Sequence, residues 1–422
     1  MDNVVDILAR RGLLEDQTNP AVSEVLDKPC VVYAGFDPTN ASLQVGNLVT
    51  VMTLAHFQRL GHHVIGVVGG ATGMIGDPSF KEGERALLSD EEVRRNAEGI
   101  RENLSRFLDF DHPSAPARIL NNYDWLSEFS FLEFLREVGK HFRMGSMLGR
   151  ESVRARLDSE AGLSYTEFSY QLLQAYDFLR LYDDERCIIQ VGGSDQWGNI
   201  TAGVELIRRL RGEEVYGITT PLICDSAGQK FGKSEGNAIF LDAGKTSVYD
   251  FYQYFVRSQD ADVIQYLKVF TFLPLDEIQA LESKVSQAPE ERAAQKRLAE
   301  IVTDAVHSEA GVETARRASS VMYGESMEGL DANVLLDIFS DVPSTELSRH
   351  HVEGAMLADV AESSGLCSSK SAARRLIKDG GLYINNKRIG DVGATVKAAD
   401  IVDGRLLVLR QGKKHFHLVR VV

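Results

Sequence analysis

Two short apolar runs joined by one helical stretch constrain this chain more than any other feature. Residues 30–33 and 64–68 each read as a buried strand, and each runs into a turn of small and polar residues, at 34–39 and 69–73. Between them Leu48, Val51, Met52 and Ala55 recur at helical spacing over 48–60, and Gly61 ends the run. Strand, helix and strand within about forty residues make a βαβ unit, which implies a parallel sheet. Ligands of such sheets bind beyond the carboxyl ends of the strands. That places residues 33–37 and 70–77 on the ligand side.

Later segments point to the same edge. Residues 188–191 read as a third buried strand, opening into Gly192-Gly193-Ser194-Asp195-Gln196, with a helix expected over 200–210. Residues 218–224 read as a fourth, followed closely by Ala227-Gly228-Gln229-Lys230-Phe231-Gly232-Lys233-Ser234-Glu235-Gly236. A glycine-rich basic loop leaving a strand is a place to hold phosphates. It is not a P-loop, which needs a glycine separated by four residues from Gly-Lys-Ser; that position is Ala227, and 237–241 reads as a strand where a P-loop requires a helix. Gly70, Gly73 and Gly76 do not make the G-x-G-x-x-G dinucleotide fingerprint either. Over 163–181 a helix places Thr166, Tyr170, Gln174 and Asp177 on one face, with apolar residues around most of the rest. A buried Tyr-Gln-Asp stripe needs partners, because an unpaired buried polar atom costs roughly 1–3 kcal/mol. A protein-satisfied network and a polar pocket for an amino-acid-sized ligand both answer that need.

Charge separates the two ends. Net charge is −15, but residues 351–422 hold 12 Lys and Arg against 7 Asp and Glu, a net +5, which leaves −20 on the remainder. An acidic body with a basic tail suits local RNA contact. In the tail, 368–381 reads as a Ser-capped helix with Arg374, Arg375 and Lys378, and 382–389 as a tight hairpin centred on Asn385-Asn386. Aromatic residues at helical spacing over 249–273, and a helical run over 290–307, suggest a helical domain; 331–354 reads as a linker, and 1–28 as helical. Cys30, Cys187, Cys224 and Cys367 are scattered, with no CxxC pair, so a reducing cytoplasmic setting without structural zinc is expected. No run approaches the ~20 apolar residues of a membrane span, and the N-terminal residues lack a signal-peptide pattern.

Lys230-Phe231-Gly232-Lys233-Ser234 resembles the lysine signature of class I aminoacyl-tRNA synthetases, in the form typical of bacterial-type tyrosyl-tRNA synthetases. Gly35-Phe36-Asp37-Pro38-Thr39, residues 69–78, Asn121-Asn122-Tyr123-Asp124-Trp125, Phe168-Ser169-Tyr170 with 174–177, and 192–199 are similar to further segments of that family, so the resemblance covers the whole chain. It implies an α/β fold: a Rossmann-like parallel-sheet catalytic domain at 1–225, the signature loop and a helical anticodon-side domain at 226–335, a linker at 336–352, and a small α+β RNA-binding module at 353–422. It implies tyrosine activation by ATP, with Mg2+ carried by the nucleotide and no protein-bound metal, then transfer to tRNA(Tyr) by a cytoplasmic homodimer. The dimer surface is expected at 123–147.

The resemblance also supplies residue roles. Tyr33 and Asp177 would bond the phenol, and Asp77, Tyr170 and Gln174 the ammonium, with Gln196 nearby. Gly35, Asp37, Gly46, Asn47, Thr50, Gly193, Asp195, Leu222, Ile223 and Ser234 would line the ATP site. Lys230, Lys233, Thr39, Gln44, Lys81 and Arg85 would meet charge on the phosphates. Lys370, Arg374, Arg375, Lys378, Lys387 and Arg388 would face RNA. The family's other signature falls at Gln44-Val45-Gly46-Asn47, where glycine is kept and both histidines are replaced, and Ala34 stands where many relatives carry Cys. Gln44 keeps a hydrogen-bond donor but is neutral, and it admits a second reading: a catalytically weakened paralogue kept as an RNA-binding or regulatory protein.

Overall fold

The computed structural model describes residues 3–79, 88–149, 151–157, 162–234, 237–322, 324–339, 342–412 and 415–422. The chain divides into two compact units, Met1–Thr246 with Tyr254–Val306, and Ser247–Gln253 with His307–Val422.

The first unit is built on a six-stranded sheet. Its strands are β1 (Asp16–Gln17), β2 (Val31–Phe36), β3 (His63–Val68), β4 (Arg118–Asn121), β5 (Cys187–Gly193) and β6 (Tyr216–Thr220), in the order β1-β6-β5-β2-β3-β4. All neighbours are parallel except β1 against β6. β2, β3, β5 and β6 are buried along nearly their whole length, which is why they read as continuous apolar runs. The chain winds outward from β2 through β3 to β4, then returns to lay β5 on the other side of β2. Winding reverses between β2 and β5, so their carboxyl ends bound the crevice where such sheets bind ligands.

Local chemistry sets the boundaries. The helix Tyr165–Glu185 is capped by Ser164, which accepts from the Glu167 N–H, and it stops at left-handed Arg186. The strand expected over 218–224 ends at Thr220, because Pro221 has no N–H for the ladder. The first 28 residues are not one helix: Val4–Arg11 ends on left-handed Gly12, β1 follows, and Val22–Val25 is a single turn. After the lysine loop come the paired strands β7 (Lys233–Ser234) and β8 (Asn237–Ala238), with no helix among the described residues in the place a P-loop would require.

The second unit carries a five-stranded sheet of β9 (Ser344–Leu347), β10 (Leu382–Ile384), β11 (Lys387–Ile389), β12 (Leu406–Gln411) and β13 (His415–Val421), in the order β11-β10-β12-β13-β9. Asn385 and Asn386 both take positive φ in the β10–β11 turn, as the Asn-Asn pair predicts. Asn386 also donates to the carbonyls of Val321 and Glu325, tying the hairpin to a helix end. Both faces of the sheet are buried. Leu406, Val408, Phe416 and Leu418 pack with Ala318, Val321, Leu335, Ile338 and Phe339. Leu407, Leu409, Val419 and Val421 pack with Leu357, Val360, Ala373 and Ile377. The stretch read from composition as a linker therefore holds structure: the helix Ala332–Ile338, then β9, parallel to β13, then the turn Arg349–Val352.

Candidate active site

A cavity of about 430 Å³ opens at the carboxyl ends of β2 and β5. Eighteen of the residues predicted from the sequence line it: Tyr33, Gly35, Asp37, Thr39, Gln44, Gly46, Asn47, Thr50, Asp77, Tyr170, Gln174, Asp177, Gly193, Asp195, Gln196, Leu222, Ile223 and Lys230. Thr166 shares a helix face with Tyr170 but is exposed and lies outside the cavity lining. Lys81 and Arg85 lie outside the described residues, and of Lys233 and Ser234 only the backbone is described, in β7.

The inner end is a polar network. Buried Asp177 accepts from Asn122 Nδ2 at 2.9 Å on one oxygen and from Trp125 Nε1 at 2.7 Å on the other. Asn122 also donates to Thr72 Oγ1 at 3.0 Å. Thr72 donates to Asp37 Oδ1 and the Tyr170 hydroxyl donates to Asp37 Oδ2, each at 2.7 Å. Gln196 donates to Asp77 Oδ2 at 2.7 Å, and Ser79 donates to the other Asp77 oxygen through its N–H and its hydroxyl. Against this satisfied frame the Tyr33 hydroxyl, fully buried beside Asp177, has no hydrogen-bond partner among the described residues; neither does Gln190 Oε1. Buried polar atoms are normally paired, so each orphan marks room for a ligand group.

Electrostatics give that end its character. Burial pushes the Asp177 carboxyl up to about 7, with the Asn122 and Trp125 hydrogen bonds working the other way. Burial also raises Asp195, with Asp77 adding to the effect and Lys230 opposing it. Four carboxylates, those of Asp37, Asp77, Asp177 and Asp195, face the cavity, and among its described lining Lys230 is the sole cation. A cationic ligand group relieves that imbalance.

The outer end is a backbone lattice. The lysine loop folds on itself through Asp225 N–H to Gln229 O and Gly228 N–H to Asp225 O, and Phe231 N–H donates to Ile223 O. It is stitched to the Gln44 turn through Ile239, whose N–H donates to Gly232 O and whose carbonyl accepts from the Val45 N–H. Leu241 N–H donates to Leu43 O alongside. The seam requires glycine at position 232, while position 46 stands at ordinary contact distance from the loop. A Cβ on Gly232, where φ is +93°, would stand 3.1 Å from Gly46 N and 3.0 Å from Val45 Cγ2, and one on Gly46 would meet Phe231 O at 3.4 Å. Gln44 is held by its own turn, its N–H donating to Asn47 Oδ1 at 2.9 Å.

Sequence reasoning missed Thr72, Ser79, Asn122, Trp125 and Gln190. Asn122 and Trp125 sit where β4 runs into the helix Tyr123–Leu126, another strand carboxyl end. Reading that junction as the other four strand ends were read would have found them.

The predicted RNA-facing residues lie in the second unit. Ser369 caps the helix Lys370–Lys378, which buries Ala373 and Ile377 and exposes Lys370, Arg374, Arg375 and Lys378. Lys370 pairs with Asp359 at 3.2 Å, Lys387 approaches Glu328 at 3.9 Å, and Arg388 donates to Gly380 O at 2.8 Å. Arg374, Arg375 and Lys378 have no such partner among the described residues.

Comparison with known proteins shows the family and the fold. The family described as tRNA synthetases class I (W and Y) matches residues 26–324, and the Tyrosine–tRNA ligase SYY-like C-terminal domain matches 335–419. The chain is 47% identical to the Tyrosine–tRNA ligase of Protochlamydia amoebophila over 423 residues, covering 100% of both chains. It is 48% identical to that of Bacillus caldotenax over 422 residues, covering 99% of this chain and 100% of the other. Among solved structures it resembles a C-terminally truncated Aspergillus nidulans mitochondrial tyrosyl-tRNA synthetase, with a TM-score of 0.69 and 32% identity over 76% of this chain and 94% of that one. An Archaeoglobus fulgidus tyrosyl-tRNA synthetase, at 16% identity and a TM-score of 0.53 over 75% of this chain and 99% of that one, shares the fold.

Proposed function

Because the chain belongs to the tyrosine–tRNA ligase family of class I aminoacyl-tRNA synthetases, we propose that its crevice seats tyrosine at the inner end and ATP along the Gln44–Lys230 seam. The enzyme is a tyrosine–tRNA ligase: it joins tyrosine to ATP as tyrosyl-adenylate and passes the tyrosyl group to tRNA. One observation carries the residue assignment. The orphaned Tyr33 hydroxyl stands beside Asp177 at the closed end of the cavity, where a substrate phenol would donate to the carboxylate and accept from Tyr33. The ammonium group then falls among Asp77, Tyr170 and Gln174, with Gln196 holding Asp77. The tyrosine carboxylate points toward the nucleotide, which Gly35, Asp37, Gly46, Asn47, Thr50, Gly193, Asp195, Leu222, Ile223 and Ser234 receive.

The reaction in this reading is in-line attack of the tyrosine carboxylate on the α-phosphorus, with pyrophosphate leaving. No covalent enzyme intermediate and no general base are needed. The protein supplies position and fixed charge: Lys230, Lys233, Thr39 and Gln44 meet the phosphates, with Lys81 and Arg85 assisting. Mg2+ enters on ATP, a reading favoured by crevice carboxylates that already accept hydrogen bonds from the protein. We assign the enzyme to the cytoplasm, where charged tRNA is consumed; no described helix is long and apolar enough to cross a membrane.

Two partner surfaces follow. Arg374, Arg375 and Lys378 are the cations with the least internal commitment, so they are the ones assigned to the tRNA backbone. Converting Arg374 and Arg375 to Ala is expected to leave tyrosine-dependent ATP–pyrophosphate exchange intact while charging weakens. The slope of log affinity against log salt should shrink by about 1 for each cation lost; an unchanged slope would remove that helix from the RNA surface. For the second surface, six of the nine exposed large apolar side chains among the described residues fall between 131 and 165, including Phe131 at 64% and Leu132 at 75% exposure. Apolar exposure on that scale marks an interface, and we assign it to a second copy of the chain. Sedimentation should show a dimer that Leu132→Asp converts to monomer; a wild-type monomer at micromolar concentration would contradict this.

A further inference from the structure

We infer that Tyr254, in the helix Val248–Val256, is a positioning residue for adenylate formation: its hydroxyl fixes the Gly232 peptide between the two lysines of the phosphate loop. The inference rests on the assignment of that loop to the ATP phosphates.

Three observations carry it. First, the loop is pinned at its centre. The Phe231 ring stacks on Phe270 at 4.6 Å and 16°, and Tyr266, Tyr254 and Phe255 enclose it at 4.7, 5.4 and 6.1 Å. Phe231 thus sits in an aromatic box while Lys230, next to it, stays exposed. Second, the peptide after Phe231 has one specific anchor: Gly232 N–H donates to the Tyr254 hydroxyl at 2.7 Å. Gly232 is buried, and a buried backbone N–H without an acceptor is costly, so this bond sets the orientation of the peptide plane. Third, Gly232 lies in the Gly46–Gly232 seam, and its own carbonyl, in the following peptide, accepts from the Ile239 N–H, whose carbonyl in turn accepts from Val45 N–H in the Gln44 turn. Tyr254 therefore reaches the place where the two phosphate-facing segments meet without lining the cavity itself. The ring supplies packing and the hydroxyl supplies direction, and the two roles separate cleanly in Tyr254→Phe.

The test is a kinetic cycle on the full-length protein. Tyr254→Phe should lower the single-turnover rate of tyrosyl-adenylate formation about 10-fold, as expected for a buried donor left unpaired, with the dissociation constant for tyrosine within twofold of wild type. In a Lys230→Ala background the same change should cost less than about twofold, because residues that act as a unit are not additive. A rate for Tyr254→Phe within twofold of wild type overturns the inference, as does a full-sized loss that persists in the Lys230→Ala background, or weakened tyrosine binding in step with the rate. If Lys230→Ala itself leaves the rate intact, the assignment of the loop to the phosphates falls, and the role of Tyr254 falls with it.

Discussion

Replacing Lys230 with alanine is expected to slow tyrosine-dependent ATP–pyrophosphate exchange by roughly 10²–10³-fold, the usual loss when one fixed donor to developing charge is removed from a closed site. Lys230 is the sole cation in the described cavity lining, set among four carboxylates that otherwise repel triphosphate. Its backbone is held by the bridge to Cys224, and its side chain is exposed, so truncation should leave the fold unchanged. In the proposed reading tyrosine sits at the opposite end of the cavity, among Tyr33, Asp77, Tyr170 and Asp177. Equilibrium binding of tyrosine should therefore be unaltered while turnover collapses. A parallel loss of tyrosine affinity would mean that the lysine acts on the amino acid and would sink the phosphate assignment.

Asp177→Asn should strike the other substrate. The carboxylate presents one oxygen to Asn122 and one to Trp125, and in the proposed reading it also accepts from the substrate phenol. An amide has a single oxygen, so one of the two protein donors would face an NH2 group and the phenol would lose an ionised acceptor. We expect kcat/KM for tyrosine to fall on the order of 10²-fold, with phenylalanine little affected. A site built to bond a hydroxyl rejects the analogue without it, and tyrosine synthetases are the reference case of that rule. The same variant carries a pH signature. Burial holds the folded carboxyl at about 7, against an ordinary aspartate near 4 in the unfolded chain. Between those values the folded protein binds the extra proton, so the stability this group contributes is complete at low pH and is lost as pH rises toward 7. Asparagine cannot titrate. The stability gap between variant and wild type should move in the variant's favour from pH 5 to pH 8, as read by thermal unfolding; a gap flat across that range would assign the raised carboxyl to another residue.

What was legible in the sequence follows from the range of the forces involved. β2, β3, β5 and the helix Tyr165–Glu185 announce themselves because burial imposes a local period, and the placement of Asp37, Asp77, Asp177 and Asp195 follows from those elements alone. Asn122 and Trp125 gave only the signal of their place at the carboxyl end of β4; their partner did not show, because a hydrogen bond to a carboxylate more than fifty positions away leaves no pattern in neighbouring residues. β9 failed for a different reason. Ser344-Thr345-Glu346-Leu347 is short, polar and at a sheet edge, so composition there resembles a tether although the backbone is a strand. The strand over 218–224 was read too long because apolar Leu222 and Ile223 continue the run after Pro221 has ended the ladder, Ile223 turning inward while Leu222 stays 44% exposed.

The sheet in the second unit carries a lesson for anyone who wishes to cut this protein down. Because β12 and β13 are covered on one side by Leu335, Ile338 and Phe339 and on the other by Leu357 and Ile377, the tail is woven into the helices before it. Deleting 342–422 would leave those helices with an oily scar where the strands had been, each large side chain in it forfeiting about 1.5–3 kcal/mol of burial. A shortened enzyme is better made by resurfacing Leu335, Ile338 and Phe339 at the same time, as one would seal a wall after removing the room behind it.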